Sequence, residues 1–202
     1  MNVAMPEGLV FGSDGLLPVV AQDRRSGDVL MVAYANAEAM ARTAETGFAH
    51  FWSRSRRALW MKGETSGHRL RVAAALADCD RDALLLVVEP EGPACHEGTR
   101  TCFGDATATA AGILDELRRV VEDRRQRGGE GSYTAKLLAK GLDHSLKKLG
   151  EEATEVILAA KGESDERLAE EAADLAFHLL VVLAQRGLGP ERVLDVLRAR
   201  RR

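Results

Sequence analysis

The sequence predicts two domains: a mainly-β (α+β) domain followed by an all-α domain. Seven of the nine aromatic residues and all three cysteines lie before residue 105. The same half has short apolar runs interrupted by Gly, Pro and Asp, which is typical of strands and turns. The rest is rich in Ala, Leu and Glu at helical spacing. We expect domains over residues 1–107 and 112–202, with the boundary between Gly104 and Gly112.

Composition excludes several classes of protein. With 202 residues, 46% hydrophobic and 29% charged, the chain has the make-up of a globular protein. Its formal charge of -3 predicts no nucleic-acid or membrane partner, and no apolar run approaches the ~20 residues of a membrane span. The first residues lack the features of a secretory signal. Because three cysteines are too few for a disulfide framework, we expect a cytoplasmic protein.

The first domain divides into short elements. The apolar runs LLPVVAQD, DVLMVAYAN and ALLLVVEPEG predict β-strands. The segment Ala37–Thr46 predicts one helix among them. Strands and turns around a single helix predict an α+β domain.

Two long helices are predicted in the second domain, after the loop RGGEGS at 127–132. An apolar stripe at helical spacing precedes a break at 162–164, and another follows it. Ser164 is suited to cap the second helix, and the short connection predicts an antiparallel pair. The stripes consist of Leu146, Leu149, Ala153, Val156, Ile157 and Ala160, and of Leu168, Ala172, Leu175, Ala176, Leu179 and Leu183.

Three aspartates alternate along the segment before the last predicted strand of the first domain. If this segment is extended, Asp78, Asp80 and Asp82 project to one side and Cys79 to the other. Neighbouring carboxylates repel one another unless a cation neutralises them, and oxygen ligands suit Mg²⁺. The alternative is an acidic turn that leads into the strand.

Cys95 and Cys102 enclose a glycine-containing loop, with His96 beside the first of them. Thiolates and imidazole are ligands that Zn²⁺ prefers. Three protein ligands and one open position characterise catalytic zinc, whose bound water has a pKa of roughly 7. Because the spacing matches no zinc finger, buried cysteines without a metal are the alternative.

A basic segment containing tryptophan and hydroxyl residues precedes the aspartates. Arginine and lysine suit phosphate oxygens, and tryptophan can stack on a base. The alternative is a strand with a solvated basic face. The candidate substrate-binding residues are Trp52, Ser53, Arg54, Ser55, Arg56, Lys62, Glu64, Thr65 and Ser66.

Six motifs in the first domain resemble the phosphoribosyl-AMP cyclohydrolases of histidine biosynthesis. In order they are LPVVAQD, DVLMVAYAN, FWSRSR, LWMKGETSG, DCDRD and ACHEGTRTCF, covering most of residues 12–104. The resemblance implies opening of an N1-substituted adenine ring by attack of water at C6. It also implies Zn²⁺ on Cys79, Cys95 and Cys102, with Cys79 donated across a homodimer interface, and Mg²⁺ on the three aspartates.

Within this resemblance, His96 is the natural proton carrier, because imidazole exchanges protons near neutral pH. A structural histidine is the alternative. Two residues depart from the family pattern: Glu97 stands where Thr is usual, and Ala35 where Met is usual. Glu97 adds a negative charge beside the zinc loop, but neither departure removes an implied ligand.

Four carboxylates of the two long helices are predicted to converge. At about 100° per residue, Glu152 and Glu155 have the same offsets from their stripe as Glu171 and Asp174 have from theirs. In an antiparallel pair, equal offsets fall on one side of the hairpin, and the two pairs lie at the same height. Such a cluster of like charges destabilises helices unless cations bind to it. A solvated acidic face is the alternative.

The segments GSYTAKLL, KKLGEEATEV and EEAADLAFHLLVVL resemble phosphoribosyl-ATP pyrophosphohydrolase, an all-α nucleotide pyrophosphohydrolase, over roughly residues 112–197. The resemblance implies that Glu152, Glu155, Glu171 and Asp174 bind Mg²⁺, which binds the triphosphate and activates water. Glu152 and Glu155 are the candidate catalytic residues. Glu151 could also be a ligand or base, but its position on the helix points elsewhere. Four lysines could contact phosphates, and the alternative for each is a solvated helix lysine: Lys136, Lys140, Lys147 and Lys148.

Together the resemblances imply a bifunctional, homodimeric hydrolase that uses Zn²⁺ and Mg²⁺ and acts on small nucleotides. It would convert phosphoribosyl-ATP to phosphoribosyl-AMP and pyrophosphate, and then open the adenine ring. Two alternatives stay open: one domain is active and the other serves assembly, or the zinc is structural and the helices form a dimerisation module. Three cysteines without a fourth protein ligand favour an open catalytic site.

Overall fold

The computed structural model of the chain describes residues 3–105 and 109–201. It divides into two compact units, Met1–Gly112 and Ile113–Arg202. Within the described residues, the first unit contains a six-stranded sheet and the second is built from helices, which confirms the predicted two-domain architecture. The predicted domain limits at residues 1, 107 and 202 lie outside the described residues.

The sheet of the first unit has the strand order β4-β3-β2-β1-β6-β5. Strands β1 and β6 pair in parallel, and the other neighbouring strands pair in antiparallel fashion. Residues of β1 and β6 alternate between buried and half-buried, so one side of the sheet faces the core. The strands are β1 (Leu17–Asp23), β2 (Val29–Ala35), β3 (His50–Ser53), β4 (Ala58–Met61), β5 (Leu70–Ala77) and β6 (Leu84–Pro90).

Helix α1 (Ala37–Thr46) has the bounds that the sequence predicts. The Asn36 side chain caps it by accepting a hydrogen bond from the Ala39 amide at 2.9 Å. Gly47 ends the helix with φ 74°, a conformation that favours glycine. Buried Met40 lies in the same core as Phe51 of the sheet, so the helix covers the apolar side of the strands.

The second unit consists of helices joined by short connections. Ser132 and Ser164 cap α3 and α5, which confirms the predicted loop at 127–132 and the predicted break before α5. Within the described residues, none of the helices combines the length and the apolar character that a membrane span requires. The helices are α2 (Ala110–Arg127), α3 (Tyr133–Ala139), α4 (Leu142–Gly162), α5 (Asp165–Gln185) and α6 (Pro190–Arg200).

The surfaces by which α4 and α5 pack differ from the predicted stripes. Leu146 and Ile157 of the α4 stripe are exposed, as is Leu179 of the α5 stripe. The buried seam is rotated toward the acidic residues, because helical spacing defines an apolar face without deciding which neighbour covers it. The residues buried along the two helices are Ser145, Glu152, Ala159, Glu171, His178, Leu180 and Val181.

Candidate active sites

The three aspartates of the first unit lie in the exposed loop between β5 and β6. Oxygens of Asp78, Asp80 and Asp82 lie within 4.8 Å of one another. The expected extended segment is wrong: Asp78 Oδ1 accepts a hydrogen bond from the Ala83 amide at 3.1 Å, and Arg81 has φ 65°. A turn therefore gathers the carboxylates. The charge of Asp80 raises the pKa of Asp82, as expected for like charges without a cation.

Two of the three cysteines are neighbours. The Cys95 and Cys102 side chains interact with each other. A hydrogen bond with Thr99 lowers the pKa of Cys95, whereas local desolvation and the nearby Cys95 raise the pKa of Cys102. Exposed Cys79 contacts Asp80, and within the described residues no cluster of three ligating atoms contains a cysteine. One chain thus brings together two of the three implied zinc ligands.

Two further groups lie beside the cysteine pair. His96 is exposed, with Nδ1 3.9 Å from Cys95 Sγ. Half-buried Lys62 lies close enough to both thiols to interact with their charges. Burial lowers the pKa of Lys62, and the Cys102 and Cys95 thiolates oppose that shift. The loop therefore combines thiols, an imidazole and an ammonium group.

The predicted substrate-binding segment begins on β3, which lies between β2 and the edge strand β4. Trp52 pairs with Tyr34 of β2, and the Arg54 guanidinium lies 3.8 Å from the centroid of the Tyr34 ring. Arg56 lies 5.9 Å from the Trp60 centroid. The sequence did not single out Tyr34, because the register between β2 and β3 cannot be read from composition. Aromatic faces thus hold both exposed arginines.

The second half of that segment forms the turn after β4. Gly63 has φ 81°, and a Cβ there would lie 2.4 Å from the His68 backbone, so the turn requires glycine. Within the turn, the Lys62 ammonium donates to the His68 carbonyl at 3.4 Å. The polar residues that this turn presents are Lys62, Glu64, Thr65 and Ser66.

Three of the four predicted carboxylates in the helical unit come together. Oxygens of Glu152, Glu155 and Glu171 lie within 4.8 Å of one another, and Glu152 and Glu171 are buried. Arg167 pairs with one oxygen of Glu171, while the buried Oε2 makes no hydrogen bond. Burial and then Glu155 raise the pKa of Glu171. We call these three residues the acidic cluster; exposed Asp174 lies outside it.

Basic residues are distributed unevenly around the acidic cluster. Lys148 lies 3.3 Å from Glu152 and 2.9 Å from Glu151. Its hydrogen bond with Glu151 lowers the pKa of that carboxyl group. Lys147 lies 3.6 Å from Glu151. Lys136 and Lys140 are exposed, and no ion pair is described for either side chain. Of the four lysines, Lys148 alone pairs with a member of the acidic cluster among the described ion pairs.

His178 is a site residue that the sequence did not indicate. Its Nε2 lies 3.6 Å from Glu152 Oε1, and its buried Nδ1 makes no hydrogen bond. Burial lowers the pKa of His178. The one available sign was its position seven residues after Glu171, which places both on the same face of α5.

A cavity of about 270 Å³ lies elsewhere in the helical unit. Val121, Leu180 and Leu188 line it together with the Arg125–Glu122 ion pair. It contains none of the predicted site residues. The candidate chemistry therefore lies on the α4–α5 seam and not in this cavity.

Two family models match the chain, one in each unit. The model of phosphoribosyl-AMP cyclohydrolase matches residues 31–104, and that of phosphoribosyl-ATP pyrophosphohydrolase matches residues 114–201. Each match covers the cysteines or the acidic cluster described above.

Curated proteins resemble the chain along almost its entire length. The histidine biosynthesis bifunctional protein HisIE of Bacillus subtilis is 50% identical over 95% of this chain and 94% of its own. The protein of the same name from Thermus thermophilus is 50% identical, over 95% and 92%. That of Escherichia coli is 46% identical, over 93% and 92%.

Proposed function

This chain belongs to the family of bifunctional histidine-biosynthesis proteins that join a phosphoribosyl-AMP cyclohydrolase to a phosphoribosyl-ATP pyrophosphohydrolase, and on that premise we propose which residues carry each reaction. The chain hydrolyses phosphoribosyl-ATP to phosphoribosyl-AMP and pyrophosphate, and then opens the ring of phosphoribosyl-AMP. We assign pyrophosphate release to residues 112–202 and ring opening to residues 1–107, acting as independent catalytic domains.

In the helical domain, we propose that the acidic cluster and Asp174 hold Mg²⁺. The supporting observation is Glu171, whose buried Oε2 makes no hydrogen bond and whose pKa is raised, first by burial. A divalent cation would supply the missing partner and neutralise the repelling carboxylates. Mg²⁺ bound by these residues would supply positive charge that neutralises triphosphate oxygens.

Glu152 and Glu155 are the proposed proton acceptors for the attacking water. Water oxygen bonds to one phosphorus of the α–β anhydride, the bridging P–O bond breaks, and the carboxylate takes the water proton. Lys148, 3.3 Å from Glu152, supplies positive charge beside the leaving phosphates. Pyrophosphate and phosphoribosyl-AMP are the products.

In the first domain, we propose that Cys95 and Cys102 bind zinc together with Cys79 of the partner subunit. The supporting observation is the adjacent Cys95 and Cys102 pair, one thiol of which has a lowered pKa through hydrogen bonding with Thr99. Bound zinc would act as a Lewis acid that makes water nucleophilic near neutral pH. Because free thiols persist in a reducing compartment, we place the protein in the cytoplasm.

Ring opening then depends on proton transfer by His96. Water oxygen bonds to C6 of the purine, His96 accepts a water proton, and the C6–N1 bond breaks as a proton is delivered to N1. Arg54 and Arg56, held on Tyr34 and Trp60, are placed to bind phosphate oxygens. We propose Mg²⁺ for the β5–β6 aspartates, whose clustered oxygens repel one another without a cation.

We propose that the protein is a homodimer with shared zinc sites. Cys79 is absent from the Cys95 and Cys102 group within one chain, as far as the described residues show. In addition, large apolar side chains lie exposed on both domains, which is typical of surfaces that pack against another subunit. They include Val32, Leu76 and Phe103 in the first domain and Leu146, Ile157, Leu158 and Leu179 in the second.

A subunit-mixing experiment tests the shared zinc site. Cys79→Ser and Cys102→Ser proteins are each expected to lack ring opening, because each loses one ligand from both sites of the dimer. Unfolding them together and refolding with zinc should restore about one quarter of the wild-type rate, since half of the dimers regain one complete site. Two samples refolded separately and then assayed serve as the control. A refolded mixture that stays inactive, while wild type recovers under the same conditions, would contradict a shared site.

His96→Asn separates proton transfer from metal binding. The variant should keep zinc, because asparagine leaves all three thiols in place, while the ring-opening kcat falls by roughly 10²–10⁴-fold. Zinc content by elemental analysis and the ring-opening rate are the two measurements. The matched control is His68→Asn, in the turn after β4. Loss of zinc in His96→Asn would make His96 a ligand, and an unchanged rate would leave it no catalytic role.

A further inference from the structure

Arg100 lies within the cysteine loop but points its guanidinium back to the turn between β1 and β2. Nη1 lies 2.6 Å from Asp28 Oδ2, and Nη2 lies 3.1 Å from Asp23 Oδ2 and also contacts the Ser26 hydroxyl. The Arg100 side chain is 14% exposed, and the two carboxylates are 5% exposed or less. Burial alone would lower the pKa of Arg100, but Asp28 and Asp23 raise it overall.

The turn that receives Arg100 is itself held by hydrogen bonds. The Asp23 amide donates to the Asp28 carbonyl at 2.9 Å, and the Gly27 amide donates to the Asp23 carbonyl at 2.9 Å. The Asp28 amide donates to the Ser26 hydroxyl at 3.2 Å. The two carboxylates therefore occupy fixed positions, which suits the planar fork of a guanidinium better than the single ammonium of lysine.

Backbone hydrogen bonds hold the two sides of the loop, one to Arg100 and the other to β2. The Arg100 carbonyl accepts a hydrogen bond at 3.1 Å from the amide of Ala94, which precedes Cys95. Two residues beyond Arg100, the Cys102 amide donates to the carbonyl of Leu30 on β2 at 2.7 Å. Fixing Arg100 therefore limits the separation of the two thiols.

The Arg100 anchor acts together with hydrogen bonds inside the loop, such as that from the Cys95 amide to the Thr99 carbonyl at 3.1 Å. Gly98 has φ 87° and Gly104 has φ 106°. The loop therefore bends at glycines, which adopt many backbone conformations at little cost. A loop that becomes ordered only on metal binding loses conformational entropy at that step, and the metal binds more weakly. Arg100 is not available to substrate phosphate, because its guanidinium is already paired with two carboxylates.

We propose that Arg100 is a positioning residue for the metal site: its pairing with Asp23 and Asp28 holds Cys95 and Cys102 at metal-binding separation before zinc arrives. The inference rests on the proposed zinc site. Outer residues that orient metal ligands typically change metal affinity by about 10–100-fold when they are replaced. We expect a loss in this range for Arg100→Met, and a smaller loss for Arg100→Lys, which keeps the charge but not the fork.

Because Arg100→Met leaves two buried carboxylates without a cation, that variant can lose the fold of the first domain. The balanced variant Arg100→Met/Asp23→Asn/Asp28→Asn removes both signs of charge together. Its metal-free melting curve should therefore stay close to that of wild type. Arg24→Met is the matched control, because Arg24 is an exposed arginine at the same end of β1 and pairs only with Glu89 among the described ion pairs.

The experiment titrates each full-length protein with Zn²⁺ against a chromophoric chelator, and with Co²⁺ to record thiolate-to-metal absorption. We expect both Arg100→Met variants to bind Zn²⁺ about 10–100-fold more weakly and to show altered Co²⁺ spectra, while Arg24→Met matches wild type. A purely structural role would shift the melting curve without changing the Co²⁺ spectrum of folded protein. A balanced variant with wild-type zinc affinity would overturn the inference.

Cys102→Ser, titrated in parallel, separates the role of Arg100 from the existence of the zinc site. Loss of zinc there together with normal affinity in the balanced variant would refute the role of Arg100 and leave the zinc site standing. Wild-type zinc affinity in Cys102→Ser would overturn both.

Discussion

Replacing Cys102 with serine is expected to abolish ring opening while pyrophosphate release continues at the wild-type rate. The hydroxyl of serine stays protonated near neutral pH and cannot replace a thiolate ligand of zinc. The carboxylates that we propose for the pyrophosphohydrolase reaction lie in the other compact unit, so that reaction should not respond. We expect a loss on the order of 10³-fold or more in ring opening, together with loss of protein-bound zinc.

The measurement is the rate of each reaction on one preparation, beside zinc content by elemental analysis. Glu97→Thr is the matched control, since Glu97 is exposed in the same loop and contributes no proposed ligand. That control should retain zinc and both activities. A Cys102→Ser protein that opens the ring at the original rate without zinc would end the catalytic-zinc proposal. Unfolding of the first domain alone would instead indicate structural zinc.

Glu171→Gln should have the opposite pattern, with pyrophosphate release lost and ring opening retained. Glutamine keeps the shape of the buried side chain but removes the carboxylate that we propose as a Mg²⁺ ligand. We expect a fall on the order of 10³-fold. In metal-free buffer, the variant should unfold at a higher temperature, because it removes a carboxyl group whose pKa is raised by burial and by the neighbouring Glu155. A gain of about 1 kcal/mol corresponds to roughly 4–8 °C in a domain of this size.

Two variants at nearby positions on α5 serve as comparisons for Glu171→Gln. Glu170→Gln removes an exposed carboxylate one residue away, and it should leave both reactions and the metal-free melting temperature unchanged. Asp174→Asn should weaken pyrophosphate release without raising the metal-free melting temperature, because Asp174 is exposed and lies outside the acidic cluster. Normal pyrophosphate release in Glu171→Gln would mean that the acidic cluster does not bind the catalytic metal.

Local sequence patterns predicted the elements better than their contacts. The α1 bounds and the Ser164 cap follow from residues that are adjacent in the chain. Periodicity also placed Glu152 and Glu171 near each other, although it gave the wrong buried face. Periodicity could not predict the buried face, because the spacing of apolar residues defines one face of a helix but not the rotation at which the helix packs.

Contacts between residues that are far apart in the chain could not be predicted from the sequence alone. Arg100 pairs with Asp28, which is 72 residues away, and Tyr34 meets Arg54 only through the register of β2 and β3. Neither pair has a local pattern that distinguishes it from ordinary surface residues. Similarly, nothing in the sequence distinguishes His178 from any other polar residue of an apolar helix. The structure shows that it lies beside Glu152.

The parallel pairing of β1 with β6 has a consequence for how the chain folds. Val19 pairs with Leu84, so β2 to β5 and α1 must all be synthesised before β1 gains its second neighbour. Pairing across such a sequence separation is slow, because a long loop must close before any contact forms. During synthesis, one edge of β1 stays available to strands of other nascent chains. The helical unit, whose main contact joins α4 to the next helix in sequence, is free of that delay. We therefore expect the first domain to be the slower to fold, and the one that depends more on chaperones.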